Sequence, residues 1–454
     1  MIAIFCVAFV LCAALTKNHV TSWNDGSRIA AVDALTANRT FAIDGSPYVA
    51  HLGDKILYRG KHYSDKPPLL TLMATGVTLA VAPLGITLRQ TPARAIYLMT
   101  LFTVGLWFAI GCVYAYAFQR LLGFGSRIAL AVAALTGVAT LALPYATVLT
   151  NHVPAGAAVL AGSYHAVRGR RGGAVHDVLM GLFFALAYAF DASAIVLALA
   201  GVVVLWGAPA RRWIAGIAAG APIVAMQFAF NVFVSGSILP TAFTGNVWTE
   251  FPRSPAVAAP QPFVLLPATD YVRLAIALIA GSKGLVAFTP LVIIVAYGVA
   301  AMRRSDALRR RLALAIGVTT AVYFVMILAL QNDAGARNFG ERRYVDLFFL
   351  MSVALGPALV AVRGAAGALA VRVCAAVSMA IAALGTVAPF GGAPGESGFA
   401  FGSAEFVALV RRAPIQGALD VLMLIAGVAL VLRLLPVPTP QAMRVAASPV
   451  DVRT

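Results

Sequence analysis

Charge is scarce in this chain, and negative charge scarcest. Only 11% of its 454 residues are charged, with 17 Asp and Glu against 34 Lys and Arg. A water-soluble globular domain carries about 25% charged residues, because its surface faces solvent. A 47.2 kDa chain this poor in charge cannot build such a surface. Cysteine is nearly absent too. Cys6, Cys12, Cys112 and Cys374 lie in apolar segments, which excludes a disulfide framework and offers no zinc spacing. The short alternating segments of a membrane β-barrel are also missing. Hydrophobic residues fill 61% of the chain, at a mean hydropathy of +0.88. They recur in runs of about 20 residues, each long enough to cross a bilayer core as a helix. The sequence predicts an all-α polytopic membrane protein with about 11–13 transmembrane helices, and a long first outer loop carrying short amphipathic helices. Residues 1–436 read as a single transmembrane domain, and 437–454 as a disordered, Pro- and Ala-rich cytoplasmic tail.

A net charge of +17 raises the question of nucleic acid, but the placement of the bases excludes it. They sit in short clusters between apolar runs: Arg168, Arg170 and Arg171; Arg211 and Arg212; Arg303 to Arg311. Excess Lys and Arg in short loops marks cytoplasmic turns. That assignment puts loops 18–66, 234–269, 331–343 and 389–416 outside, in a bacterial-type inner membrane. The first apolar run, Met1 to Thr16, lacks a basic leader and a cleavage site, and reads as a retained first helix. Segment 67–118 must cross an odd number of times to bring Arg120 inside, yet it holds two apolar stretches, 68–87 and 95–118.

The first outer loop holds the densest charge, with five of the 17 acidic residues between positions 18 and 66. Loops longer than about 12–15 residues are usually functional or carry structure of their own. Ser27 to Asn38 reads as a short amphipathic helix on the membrane surface, with Ile29, Val32 and Leu35 on one face. Asp33 falls on the exposed side, and Asp25 just before the helix. Asp191 reads as the only clear acid within an apolar run, and intramembrane ionisable groups are functional candidates by default.

Two segments of this loop carry a resemblance. Asn24-Asp25-Gly26-Ser27-Arg28, a short helix, then Tyr58-Arg59-Gly60-Lys61-His62-Tyr63-Ser64-Asp65-Lys66-Pro67-Pro68-Leu69 resemble the first-loop pattern of the C-type multi-span glycosyltransferases. Those enzymes use sugars linked to polyprenyl phosphate. The nearest look-alikes are the aminoarabinose-to-lipid-A transferases and the protein O-mannosyltransferase relatives. Gly236-Ser237-Ile238-Leu239-Pro240, Gly281-Ser282-Lys283-Gly284-Leu285 and Gly340-Glu341-Arg342-Arg343-Tyr344 look like further outer-face segments of bacterial members.

The resemblance implies transfer of the sugar with inversion, so a base must take the acceptor proton. Asp25 is the carboxylate at the matching position. The leaving lipid phosphate needs fixed cations or a metal. Lys66 is the leading phosphate-binding residue, with Arg28, Arg342 and Arg343 beside it, and Tyr63, Asp65, Asn151, His152 and Asp191 are expected to line the site. Some members carry a second acid where this chain has Asn151-His152, which leaves the need for a divalent metal open. Arg337, Glu341, Arg342 and Arg343 read equally as a self-paired surface cluster or a phosphate clamp. The implied partners are the lipid-linked donor, a glycan, lipid or protein acceptor, and membrane lipid. The reading from a different class is a transporter or lipid flippase without covalent chemistry. Transporters concentrate ionisable groups near the bilayer midplane and often show internal repeats, whereas here charge gathers in outer loops.

Overall fold

The computed structural model describes residues 1–241, 267–281, 283–330, 337–391 and 398–435 as a bundle of helices with one two-stranded hairpin. Among these residues seven helices are long and apolar enough to cross a membrane, and six further apolar helices run 10–17 residues. The all-α polytopic expectation holds, and the chain is a multi-pass membrane protein. Residues 242–266, 331–336 and 392–397 of the expected outer loops, and the tail from 436, lie outside the described residues; within 389–416, expected to be a loop, the structure forms the helix Gly398–Arg412.

The basic clusters gather at one end of the bundle, where their side chains cap helix carbonyls. Arg127 reaches Arg433 O at 2.9 Å, Arg171 reaches Leu121 O at 3.0 Å, and Arg309 reaches Leu122 O at 2.9 Å. Arg170 bonds Val204 O at 2.7 Å, and Arg212 pairs with Asp177 at 2.7 Å. Cations suit helix C-termini, where the carbonyls lack intrahelical partners. Residues Arg28, Asn151, Asp191 and Asp346 meet at the opposite end, as described below.

Elements of the first loop are set by local chemistry. Helix α1, Ile2–Leu15, leads to α2, Trp23–Asn38, which Ser22 caps and Arg39 closes in a left-handed conformation, φ 53°. The hairpin of β1, Lys55–Tyr58, and β2, Lys61–Ser64, pairs antiparallel, with Lys55 opposite Ser64. Its two-residue turn needs positive φ at both positions, and Arg59 (51°) and Gly60 (73°) supply it. Pro67 and Pro68 then start α3, Pro68–Val81, where a missing amide hydrogen costs nothing.

Two expectations are corrected here. Helix α2 is buried from Asn24 to Ala34 on every side, rather than lying on the surface with one wet face. Asp33 is not exposed: its side chain keeps 1% of its accessible surface, and Arg89 grips both its oxygens, at 3.0 and 3.1 Å. The second contact also settles the crossing of segment 67–118. Ser64, just before α3, bonds Ser27 of α2 at 2.7 Å, and Arg89, beyond α3, returns to Asp33 of the same helix. Both ends of α3 therefore stay with α2, and Pro92–Leu121 is the helix of this segment long and apolar enough to cross.

Helix packing relies on small residues, as is usual where lipid removes the hydrophobic drive between helices. Helix Ala174–Phe190 meets Ala210–Ser235 through Gly181, Gly216 and Gly220. A Cβ built on Gly181 would lie 1.8 Å from Gly216 O. Overpacking of this kind costs about 1–3 kcal/mol. Gly181→Ala should accordingly lower the thermal melting point in detergent. Gly317→Ala, with nothing within 4 Å of its added Cβ, should leave it unchanged.

Candidate functional site

The site begins with the first turn of α2. Asp25 lies in that turn, three residues past the Ser22 cap, and not before the helix as expected. It completes a capping box: Ser22 Oγ accepts from the Asp25 amide while the carboxylate accepts from the Ser22 amide at 2.7 Å. Four more donors converge on the same carboxylate: Thr21 N (2.8 Å), Thr21 Oγ1 (2.7 Å), Ser22 Oγ (2.8 Å) and Gly26 N (3.0 Å). A carboxylate offers about four lone-pair sites. Asp25 is full. Burial pushes its carboxyl up, against the downward pull of these donors.

One turn on, Arg28 is wholly enclosed, at 0% exposure. Its Nη1 donates to Asn24 O (2.9 Å) and Asn24 Oδ1 (2.6 Å), and Nη2 to Asn151 Oδ1 (2.7 Å), while Nε has no partner. No carboxylate pairs with it among the described residues. Burial lowers the Arg28 guanidinium to about 10, with Asp65 and Asp191 acting in the opposite sense. A buried cation held only by amides and carbonyls, with one donor unused, is built to receive an anion.

The hairpin delivers the second cation. Its antiparallel register brings Asp54, before β1, beside Asp65, after β2, and Lys66 lies between them. Lys66 Nζ is 2.7 Å from Asp54 and 3.0 Å from Asp65, which leaves one of its three donors over. Burial raises the Asp54 carboxyl, but Lys66, Arg342 and Arg28 outweigh it and hold the group below the usual carboxylate range. Burial, aided by Asp54, keeps Asp65 above that range, and its Oδ1 is buried without a partner. A small cavity lined by Phe41, Tyr63, Lys66, Thr71 and Phe230 opens alongside.

A third group stands behind Arg28. Asn151 accepts from Arg28 and donates to Asp191. Asp191 also accepts from Ser193 N and Oγ at 2.9 and 2.7 Å, capping the short helix Ala192–Ala198. His152 Nδ1 lies 3.2 Å from Asp191 and 3.2 Å from Asp346, and Tyr323 donates to Asp346 at 2.5 Å. Asp191 is thus not the only acid within the apolar helices. Asp346, at 0% exposure, lies in the candidate span Arg342–Ala361. The metal-ligating atoms of His152, Asp191 and Asp346 fall within 4.8 Å of one another. Their oxygens already accept from Asn151, Ser193 and Tyr323, so the three form a hydrogen-bonded network.

Arg342 and Arg343 stand at the edge of the site. Arg342 lies 5.8 Å from the Phe390 ring centroid and makes only a 3.5 Å contact to Asn338; Arg343 Nη1 is buried and unpartnered. Neither forms an ion pair among the described residues, and the Arg343 amide donates to Glu341 at 3.1 Å. The structure brings together Arg28, Lys66, Asp65, Asn151, His152 and Asp191, with Arg342 close enough to act on Arg28 and Asp54. The sequence reading missed Asp346, Tyr323 and the pairing role of Asp54. An acid inside the apolar run Val345–Met351 was the available signal for Asp346. Tyr323 gave none.

The sequence matches no protein-family model, and no curated protein matches it. Solved structures do share its fold. ArnT from Cupriavidus metallidurans, bound to undecaprenyl phosphate, aligns over 95% of this chain and 76% of its own, at 16% identity and a TM-score of 0.52. Its apo state aligns with a TM-score of 0.53, covering 98% and 77% of the two chains at 16% identity. The archaeal oligosaccharyltransferase AglB from Archaeoglobus fulgidus, in complex with an inhibitory peptide and a dolichol-phosphate, gives 0.51 at 13% identity. That alignment covers 86% of this chain and 56% of AglB. The chain has the C-type glycosyltransferase fold.

The acid pair around Lys66 sets a pH dependence. Asp54, held below its ordinary value, stabilises the fold above the usual carboxylate range of about 4. That contribution is lost as the pH falls through the lowered value. Asp65, held above its ordinary value, works in the opposite sense and loses its contribution as the pH rises. Melting points of Asp54→Asn measured below about pH 4 should fall less steeply with acid than those of the wild type.

Proposed function

We propose that this protein is a glycosyltransferase that moves a sugar from a polyprenyl-phosphate donor to an acceptor at the outer face of a bacterial-type inner membrane, with inversion at the anomeric carbon. The observation that carries this reading is Arg28: a fully buried guanidinium with an unused donor and no carboxylate partner among the described residues. Asp54 and Asp65, the acids that hold Lys66, act on it, as does Arg342. A lipid phosphate would supply the missing anion, and charge-assisted hydrogen bonds of this type are about twice as strong as neutral ones. The third donor of Lys66 and the unpartnered Nη1 of Arg343 would complete the clamp. The shared fold with structures that hold undecaprenyl phosphate and dolichol-phosphate supports the same ligand class. Fixed cations stabilise the charge that develops on the leaving phosphate.

The resemblance puts the base at Asp25. Its burial one turn from Arg28 supports a place in the site, while five donors on two oxygens favour positioning over proton transfer. Asp25→Asn replaces an acceptor by a donor facing other donors. We expect it to weaken donor binding together with transfer. Loss of transfer with unchanged donor binding would return the base to Asp25.

Purified protein in nanodiscs, given radiolabelled polyprenyl-phosphate mannose, arabinose and glucose with envelope extract as acceptor, should release polyprenyl phosphate from at least one donor. Arg28→Ala should abolish binding of undecaprenyl phosphate and Lys66→Ala should weaken it, whereas Lys61→Ala, exposed in the hairpin, should matter little. Absence of release from every donor would favour transport over transfer. For orientation, Lys61→Cys should react with a membrane-impermeant maleimide in intact cells and Arg304→Cys should not, since the basic end of the bundle faces the cytoplasm in this reading.

A further inference from the structure

A transfer that inverts needs a base on the side of the anomeric carbon opposite the phosphate. Asp25 has no lone pair to spare. Asp65 has a free oxygen, but its other oxygen holds Lys66 at 3.0 Å, which sets it on the leaving-group side. His152, next to the residue that holds Arg28, has a ring nitrogen to spare. It follows Asn151 and opens the helix His152–Arg168. Its Nδ1 lies 3.2 Å from both oxygens of Asp346 and 3.2 Å from Asp191 Oδ2. Ionised carboxylates only accept, so the proton of the neutral ring belongs on Nδ1. Nε2 then carries the lone pair. It has no hydrogen-bond partner among the described residues, and the side chain keeps 6% exposure.

The surroundings fix the ring. Tyr323 donates to Asp346 at 2.5 Å and lies 3.2 Å from Ser193 Oγ, which bonds Asp191 at 2.7 Å. Both carboxylates are thereby held in place behind the imidazole. A carboxylate behind Nδ1 sets the tautomer and orientation of a catalytic histidine and stabilises the imidazolium that forms.

We propose that His152 is the general base of the sugar transfer, with Nε2 receiving the acceptor hydroxyl proton and Asp346 and Asp191 as positioning residues. The inference rests on the transferase reading above. As the acceptor oxygen bonds the anomeric carbon, the bond from that carbon to the phosphate oxygen breaks. The electron pair leaves on polyprenyl phosphate, and the proton passes to Nε2. The resulting imidazolium lies between two carboxylates, which compensates its charge in a buried site. Charged and titratable groups facing His152 are Asp191, Asp346 and Tyr323, with Arg28 one residue away through Asn151.

The test uses full-length protein in nanodiscs and the donor identified from the mannose, arabinose and glucose set. His152→Gln should keep its affinity for undecaprenyl phosphate and its melting behaviour, and lose transfer by roughly 10²–10⁴-fold. The acid limb of the wild-type pH–rate profile should disappear in this variant, and added imidazole should restore part of the turnover of His152→Ala. Asp346→Asn should reduce kcat with little change in the donor KM. In the wild type, diethyl pyrocarbonate should modify His152, located by mass spectrometry, and stop transfer; this arm holds even if the variants fail to fold. Near-normal transfer by His152→Gln would overturn the assignment. So would loss of donor binding in parallel with transfer and no imidazole rescue, which marks a structural histidine. Inactivation of the wild type by EDTA with recovery on adding Mn²⁺ would also overturn it, since a metal held with Asp191 and Asp346 would take Nδ1 and leave the ring proton on Nε2. Wild-type protein that releases polyprenyl phosphate from no donor would instead overturn the transferase reading, and this inference with it.

Discussion

A guanidinium enclosed in a membrane protein without a carboxylate partner among the described residues is a severe constraint, and the end of this molecule that holds the first-loop helix is organised around one. Removing the charge of Arg28 from water is costly, and the groups that hold it are neutral: the Asn24 carbonyl, its side-chain amide and the Asn151 amide. A carboxylate in any of those places would neutralise Arg28 and close it to an anion. Amides satisfy its hydrogens and leave the charge available. The same bonds tie the first-loop helix to the helix that opens at His152, so the cation and the network behind it form one rigid unit.

The acids of this region divide into three kinds of employment. Asp25 is spent on the N-terminus of α2 and thereby fixes the helix that carries Arg28. Asp54 and Asp65 bracket Lys66, limiting it to one spare donor and one direction of approach. Asp191 and Asp346 face His152, and their remaining hydrogen bonds come from Asn151, Ser193 and Tyr323. Each carboxylate is buried, and each is compensated by donors or by a cation, as the low-dielectric interior demands. What distinguishes them chemically is which partner they hold.

The scaffold keeps the two ends of the bundle distinct. At one end arginines cap exposed helix carbonyls, an arrangement that satisfies hydrogen bonds and concentrates positive charge together. At the other, α3 leaves from beside Ser27 and its following loop returns to Asp33, so this 14-residue apolar helix stays with the first loop. Glycine contacts between long helices bring backbones close enough to hold these ends at a fixed separation.

The membrane class, the all-α architecture and the separation of basic turns from a charged outer loop were legible in the sequence, because bilayer thickness and the cost of burying charge act on every residue locally. Arg28, Lys66 and Asp65 were singled out only through the resemblance of two first-loop segments to a known family, since spacing alone gave them no role. Side-chain facing was not legible. Asp33 sits opposite the apolar stripe of α2, and only the return of Arg89 from beyond α3 covers it and pairs its charge. Asp25 was legible as important but not as saturated, since the count of its donors depends on the path of Thr21 and Ser22. Asp346 and Tyr323 lie 194 and 171 residues beyond His152 in the chain. No local pattern links them, and only helix packing decides that they meet the imidazole.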